Sequence, residues 1–490
     1  MNYEFLIMNY NKFGVTLQPN IFNRYKYRFF QFSRIMPSIN DMTVGSPTRG
    51  ILRFALPLIC GYVLQQMYLI IDASIVGRFV SVGALAAVGA SASIMFLIMG
   101  FCNGACAGFA IPVAQAFGAK DMTLMRRYVA NAVRLSTLLT AVITIATCLL
   151  CTPILRMVNT PEEIFADAYT FLILQFAAIP FTFCYNLLSS FIRALGNSKQ
   201  PFYFLIFSSA VNIALDFLLI ILLGMGVEGV GVATMLSQAV SAMLCYKYIR
   251  RQMALLIPQP DERGFDKRLS LKLLNNGVPM GLQFSITAIG SIMLQSANNA
   301  LGTIYVAAFT AAIRVKYLFT CVFENIGVAM ATYCGQNIGA RRLDRISLGI
   351  RSATMLMLAY FLLTVIIIQP FADHMMLLFV DSGEKQIVSN AALFMRVACW
   401  FYPVLGMLVI LRYSIQGLGF SNLSMMSGVM EMIARCGVSL WLVPATGFLG
   451  VCYGDPVAWI FADIFLVPCF WWLIKVFFRK KMTANVLKPH

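Results

Sequence analysis

Four residues in the first half of this chain bring oxygen chemistry into segments that otherwise read as lipid-soluble: Asp72, Asn212, Asp216 and Thr234. Asp72 interrupts "QQMYLIIDASIVGRF" (65–79). Asn212 and Asp216 lie four apart in "VNIALDFLL", one helical turn from each other on one face. Thr234 follows in "GVATMLSQ". Two carboxylates, a carboxamide and a hydroxyl offer oxygen as their ligand atom, which suits a hard cation. Zinc or copper would ask for nitrogen or sulfur. An ionised carboxylate at the centre of a bilayer costs at least ~2.5–3.5 kcal/mol on insertion scales, and two neighbouring ones cannot cheaply both stay charged. The pair therefore invites a proton or a metal cation such as Na⁺. The bland alternative is structural acids, hydrogen-bonded to backbone or paired with a base such as Arg134.

The elements that must position these residues follow from composition. Of 490 residues, 60% are hydrophobic and only 12% charged, against roughly 25% charged in soluble proteins. Mean hydropathy is +0.78. About 20 apolar residues of helix cross a bilayer core, and twelve such stretches are present: 54–77, 84–116, 128–152, 163–193, 200–223, 228–249, 273–298, 304–335, 346–369, 386–416, 422–443 and 447–477. No stretch alternates with period two, which argues against a β-barrel. The expectation is an all-α polytopic membrane protein with twelve transmembrane helices. Asp72 is fifteen residues past Pro57, roughly 22 Å along a helix, and Asp216 is sixteen residues into its own span, so the two acids share a depth.

The net charge of +17 raises nucleic-acid binding, but its placement excludes that reading. Basic residues crowd one set of short loops and the tail, among them Lys120, Arg126, Arg127, Arg193, Arg250, Arg251, Arg341, Arg342 and Lys480. The opposite loops hold Arg78, Arg156 and Lys385 with acids such as Glu162, Asp373, Glu384 and Asp455. This is the positive-inside bias of cytoplasmic loops. It predicts both termini in the cytoplasm and a multi-pass protein of the inner (plasma) membrane. The thirteen cysteines lie mostly in apolar spans, where Cys packs as a small hydrophobe. His374 and His490 form no metal motif.

Self-comparison shows a duplication. "ALPLI" (55–59) answers "GVPMG" (277–281), and "AQAFGAKD" (114–121) answers "GQNIGARR" (335–342). "RALGNS" (193–198) answers "QGLGFS" (416–421), and Pro180 answers Pro403, all at offsets of 221–223. The expected domains are an N-terminal extension (1–44), a first lobe (45–250), a cytoplasmic linker (251–272), a second lobe (273–477) and a basic tail (478–490). The extension, with "NRYKYRFFQFSR", leaves two readings open: a membrane-surface segment, or a translated upstream region with Met42 as the start. Two six-helix lobes in one orientation suit a cleft that opens alternately to each side. The oxygen set is confined to the first lobe, since Asp72, Asn212 and Asp216 correspond to Leu294, Ile433 and Gly437.

Over about 45–475 the chain resembles the multidrug and toxic compound extrusion (MATE) family, through "LQQMYLIIDASIVGRFVSVGALAAVGAS", "FIRALGNSKQP", "VNIALDFLLIILLGMGVEGVGVATMLSQ" and "GQNIGARRLDRI". The resemblance implies twelve helices in two pseudo-symmetric lobes around a cleft. It implies export of lipophilic, mostly cationic compounds in exchange for Na⁺ or H⁺, with no other cofactor and no enzymatic activity. Asp72, Asn212, Asp216 and Thr234 match the first-lobe cation site of the branch resembling DNA-damage-inducible protein F, and Gln65 matches a cleft-facing position there. The expected partners are a small lipophilic substrate, a coupling cation and the bilayer, around a monomer that binds no nucleic acid.

In the second lobe, Glu431 and Arg435 have the spacing of a structural same-face ion pair. Glu324 is assigned to the substrate cleft, with Arg314 and Lys316 either repelling cations there or pairing with Glu324. A rival function is a lipid-carrier flippase, which needs several cleft cations and has only Arg314, Lys316, Arg396 and Arg412 to offer. A second rival, an intramembrane enzyme, lacks any Ser-His or Cys-His pairing.

Overall fold

A computed structural model describes residues 40–158 and 160–486. Apolar runs fold as helices because a bilayer offers no partner for unpaired backbone groups. In chain order they are α1 (Pro47–Phe79), α2 (Val82–Gly118), α3 (Met122–Leu149), α4 (Cys151–Met157), α5 (Glu162–Ala177), α6 (Ile179–Ala194), α7 (Lys199–Asp216) and α8 (Val227–Gln252). The second half comprises α9 (Lys267–Asn299), α10 (Thr303–Gly339), α11 (Leu343–Met376), α12 (Lys385–Trp400), α13 (Tyr402–Gly417), α14 (Ser421–Gly437), α15 (Val443–Thr446) and α16 (Phe448–Val486). The fourth and tenth spans are bent pairs: α5 meets α6 at 42° and α12 meets α13 at 55°. Each bend falls at a pseudo-equivalent proline, Pro180 or Pro403, in the first turn of the second piece. The twelve spans form two six-span lobes, and no strand occurs among the described residues.

The duplication extends to backbone irregularities. Both α7 and α14 pass into a π-helical turn, Phe217–Leu222 and Val438–Leu442, at matching points of the repeat. Such widened turns unpair carbonyls and often mark functional sites. Here the widening begins immediately after Asp216.

The lobes meet at the end that the basic loops assign to the cytoplasm, called the inner end below. Gln115 of α2 donates to the Gly417 carbonyl (3.0 Å), and Gln336 of α10 donates to the Ala194 carbonyl (2.9 Å). These bonds are images of one another, because Gln115 pairs with Gln336 and Ala194 with Gly417 in the repeat. Backbones approach so closely here that a Cβ on Gly118 would run into the Gln336 carbonyl, and one on Gly339 into that of Gln115.

A strap seals this end. The Met42 N–H donates to Gln336 Oε1 (2.9 Å), while Asn337 donates to the Met42 carbonyl (3.2 Å) and Arg342 to that of Thr43 (2.8 Å). Asp41 pairs with Lys120 at 2.6 Å. Residues 41–43 thus bond to both lobes. In the linker, Arg126 holds Glu262 through two 2.6 Å bonds and keeps its carboxyl below the usual range.

The helix α1 belongs to both lobes. Its inner half buries Ile51, Phe54 and Ala55 in the second-lobe core. Its outer half packs Ile75 and Val76 against first-lobe residues such as Phe171 and Ile220. Pro57 lies between the two halves.

Gly118→Ala is expected to prise the inner ends apart. Amide hydrogen exchange across 116–122 and 338–343 should rise in the purified variant, and unchanged exchange would contradict the close approach.

Candidate functional site

The first-lobe oxygens converge. Asn212 and Asp216, on the last turns of α7, are 3% and 1% exposed. Asp216 faces Asp72 of α1 closely enough for direct interaction, and Tyr68, one turn before Asp72, stands beside both acids. A cavity of about 780 Å³ is lined by Asp72, Asn212, Thr234 and Gln65, with Asp216 set behind them. Asp72 Oδ1, both Asp216 oxygens, both polar atoms of Asn212 and Gln238 Oε1 are buried without a protein hydrogen-bond partner.

Buried polar atoms are nearly always satisfied, and a buried charge without a partner is costlier still. The base that could have neutralised the acids is turned elsewhere: Arg134 is exposed and donates to the Arg263 carbonyl in the linker. What the site offers is a set of oxygen acceptors around two facing carboxyls. No cluster of three or more His, Cys, Asp or Glu suited to a metal occurs among the described residues.

The second lobe is built differently. Glu431 pairs with Arg435 at 3.3 Å and also with Arg412. Arg435 reaches Asp455 at 3.0 Å, and Asp455 in turn binds Lys316 at 2.5 Å. The structural pair is therefore part of a buried network of three bases and two acids. Asp455, expected in an outer loop, is buried in α16 because two bases receive it.

Glu324 accepts a hydrogen bond from Tyr413 (3.2 Å) and does not line the cavity. Lys316 does not pair with Glu324, having Asp455 instead. Arg314, two residues from Lys316 and so on another side of α10, is exposed and off the cavity. None of the four cations a flippase would need lines the cavity: Arg412 and Lys316 are buried in the network, and Arg396 pairs with Asp373.

Two residues escaped sequence reasoning. Asp463, half-buried in an apolar run of α16, has Oδ1 buried and unpaired and lies near Arg412. Counting acids inside the twelfth span would have found it. Arg193, counted among the inner-loop bases, instead lines the cavity from the last turn of α6. Its position one residue from the helix end hid that.

Two pseudo-symmetric membrane lobes around one largely apolar cavity with a few polar groups are the architecture expected of a carrier of small molecules. Comparison with known proteins agrees. The MatE family model matches twice, at residues 57–218 and 279–441, so the chain belongs to the MatE family, the multidrug and toxic compound extrusion transporters. It is 29% identical over 367 residues to the probable multidrug resistance protein YoeA of Bacillus subtilis, covering 73% of this chain and 78% of that one. It is 28% identical over 403 residues to YpnP of the same organism, also a probable multidrug resistance protein, covering 82% and 88%. A solved structure described as the outward-facing conformation of a MATE family transporter superposes with a TM-score of 0.83 at 22% identity, covering 89% of this chain and 98% of that one. The protein is a multi-pass multidrug efflux transporter and not an enzyme.

Asp216→Asn removes one unpartnered carboxylate. In sodium-free alkaline buffer the variant should be more stable than wild type by about 1–3 kcal/mol, and should lose any stabilisation by Na⁺ or acid. A thermal scan with a lowered midpoint would contradict this account of the site.

Proposed function

We propose that the chain is a cation-coupled antiporter of the inner (plasma) membrane, with both termini in the cytoplasm, exporting lipophilic, chiefly cationic compounds in exchange for Na⁺ or H⁺. The observation that carries this reading is the set of unpartnered oxygens on Asp72, Asn212 and Asp216 beside the cavity. Their match to the branch of DNA-damage-inducible protein F supports the same assignment, and the protein acts as a monomer.

In the cycle proposed, the cavity takes up a cation from outside. Neutralising Asp72 and Asp216 removes their mutual repulsion, so the outer half of α1 draws toward α7. Because the inner half of α1 is packed in the second-lobe core, that shift bears on both lobes, with Pro57 as the bending point. A ligand moves such an equilibrium only by its differential affinity for the two states. The cation supplies it by binding where the two acids are closest. A cationic substrate competes for the same negative charge and leaves when the cation enters. One charge falling through 100 mV yields about 2.3 kcal/mol, enough for roughly a 40-fold gradient of a neutral solute at ~1.4 kcal/mol per tenfold.

Proteoliposomes with an imposed Na⁺ or proton gradient test this directly. Asp72→Asn combined with Asp216→Asn should abolish gradient-driven movement of a cationic dye. Uptake at the wild-type rate would refute the coupling role.

A further inference from the structure

The cavity is electrically polarised along its length. Among its lining residues one carboxylate, Asp72, and one guanidinium, Arg193, carry charge. Arg193 lies beside Tyr185, whose hydroxyl reaches toward the Pro201 carbonyl (3.5 Å). Eleven residues of α7 separate Pro201 from Asn212, about 16 Å of helix. The two charges are therefore too far apart to pair with each other. Arg193 forms no ion pair among the described residues, and its one side-chain hydrogen bond goes to Ser190 Oγ at 2.7 Å. None of its nitrogens is both buried and unpaired, so the donors left over are open to the cavity. A guanidinium presents five donors in a planar fork that fits a carboxylate.

We propose that the inner end of the cavity is an anion subsite, in which Arg193, with Ser190 and Asn186 nearby on α6, receives the carboxylate of an otherwise apolar organic molecule. Substrates then include zwitterions and lipophilic organic acids as well as cations. A cationic group lies toward Asp72, an anionic one toward Arg193, and the apolar body against residues such as Phe96, Met99 and Phe284. The neighbouring Ala194 carbonyl is held by Gln336 across the inner seal, so an anion seated here lies next to the contact that must break for inward opening. The subsite goes beyond the antiport reading and does not depend on it, since binding to purified protein requires no ion gradient.

The test uses purified full-length protein in neutral detergent with two fluorescent probes, dansyl-leucine and its methyl ester, which differ in one negative charge. Wild type should bind the acid more tightly than the ester. Arg193→Gln should weaken the acid by about tenfold or more, the share of one charge-assisted hydrogen bond, and leave the ester within about twofold. Arg193→Lys should retain part of the preference. Equal loss of both probes would reduce Arg193 to a structural tie of the α6 end and overturn the proposal. Wild-type protein that binds the ester as tightly as the acid would overturn it without any variant. Adding phosphatidylglycerol, with phosphatidylcholine as control, separates sources of the anion: selective displacement of dansyl-leucine assigns the subsite to an anionic lipid headgroup, and no displacement assigns it to soluble carboxylates.

Discussion

Charge placed in a bilayer must find a counter-charge, and the two lobes answer that demand in opposite ways. In the second lobe the buried acids are paired with bases, Glu431 with Arg412 and Arg435 and Asp455 with Arg435 and Lys316, and the half-buried Glu324 and Asp463 lie near Arg412. In the first lobe Asp72 and Asp216 face each other with no base in reach. The same fold, duplicated, has thus one lobe whose acids stand near bases and one whose two facing acids have none. A network of buried pairs adds little net stability, since desolvation offsets most of the attraction, but it is costly to break in part.

Closure at the inner end depends on backbone proximity more than on side-chain volume. The Gly118 and Gly339 approaches, the reciprocal bonds of Gln115 and Gln336, and the strap from Asn40 to Gly45 all lie there. The lobes also pack through Phe101 and Phe109 of α2 against Gly281 and Gly277 of α9, so polar bonds and apolar contact act together.

Much of this was legible in the residues. Hydropathy located the spans, and the offset of 221–223 located both lobes and the paired prolines at the bends. Asn212 and Asp216 announced themselves by a four-residue spacing and by their absence from the sister lobe. Tertiary pairing was not legible. Asp455 looked like an outer-loop acid because nothing in its neighbourhood along the chain reveals Lys316, 139 residues away. Arg193 looked like a loop base because helix ends and cavity floors coincide at that residue. Glu324 looked unpartnered because Tyr413, its donor, is 89 residues distant. The strap escaped notice because Met42 and Thr43 bond through backbone atoms, which carry no sequence signal, and Asp41 pairs with Lys120, 79 residues away.

The central claim is that substrate and cation compete for one pair of carboxyls, and cation release on substrate binding tests it most directly. Purified protein in weakly buffered detergent solution would be titrated with a cationic substrate such as ethidium, while a pH electrode and a sodium electrode follow the medium. The account predicts that H⁺ or Na⁺ appears in proportion to substrate bound and that none appears once Asp72 and Asp216 are both Asn. Saturable binding to the wild type with neither ion released would contradict it.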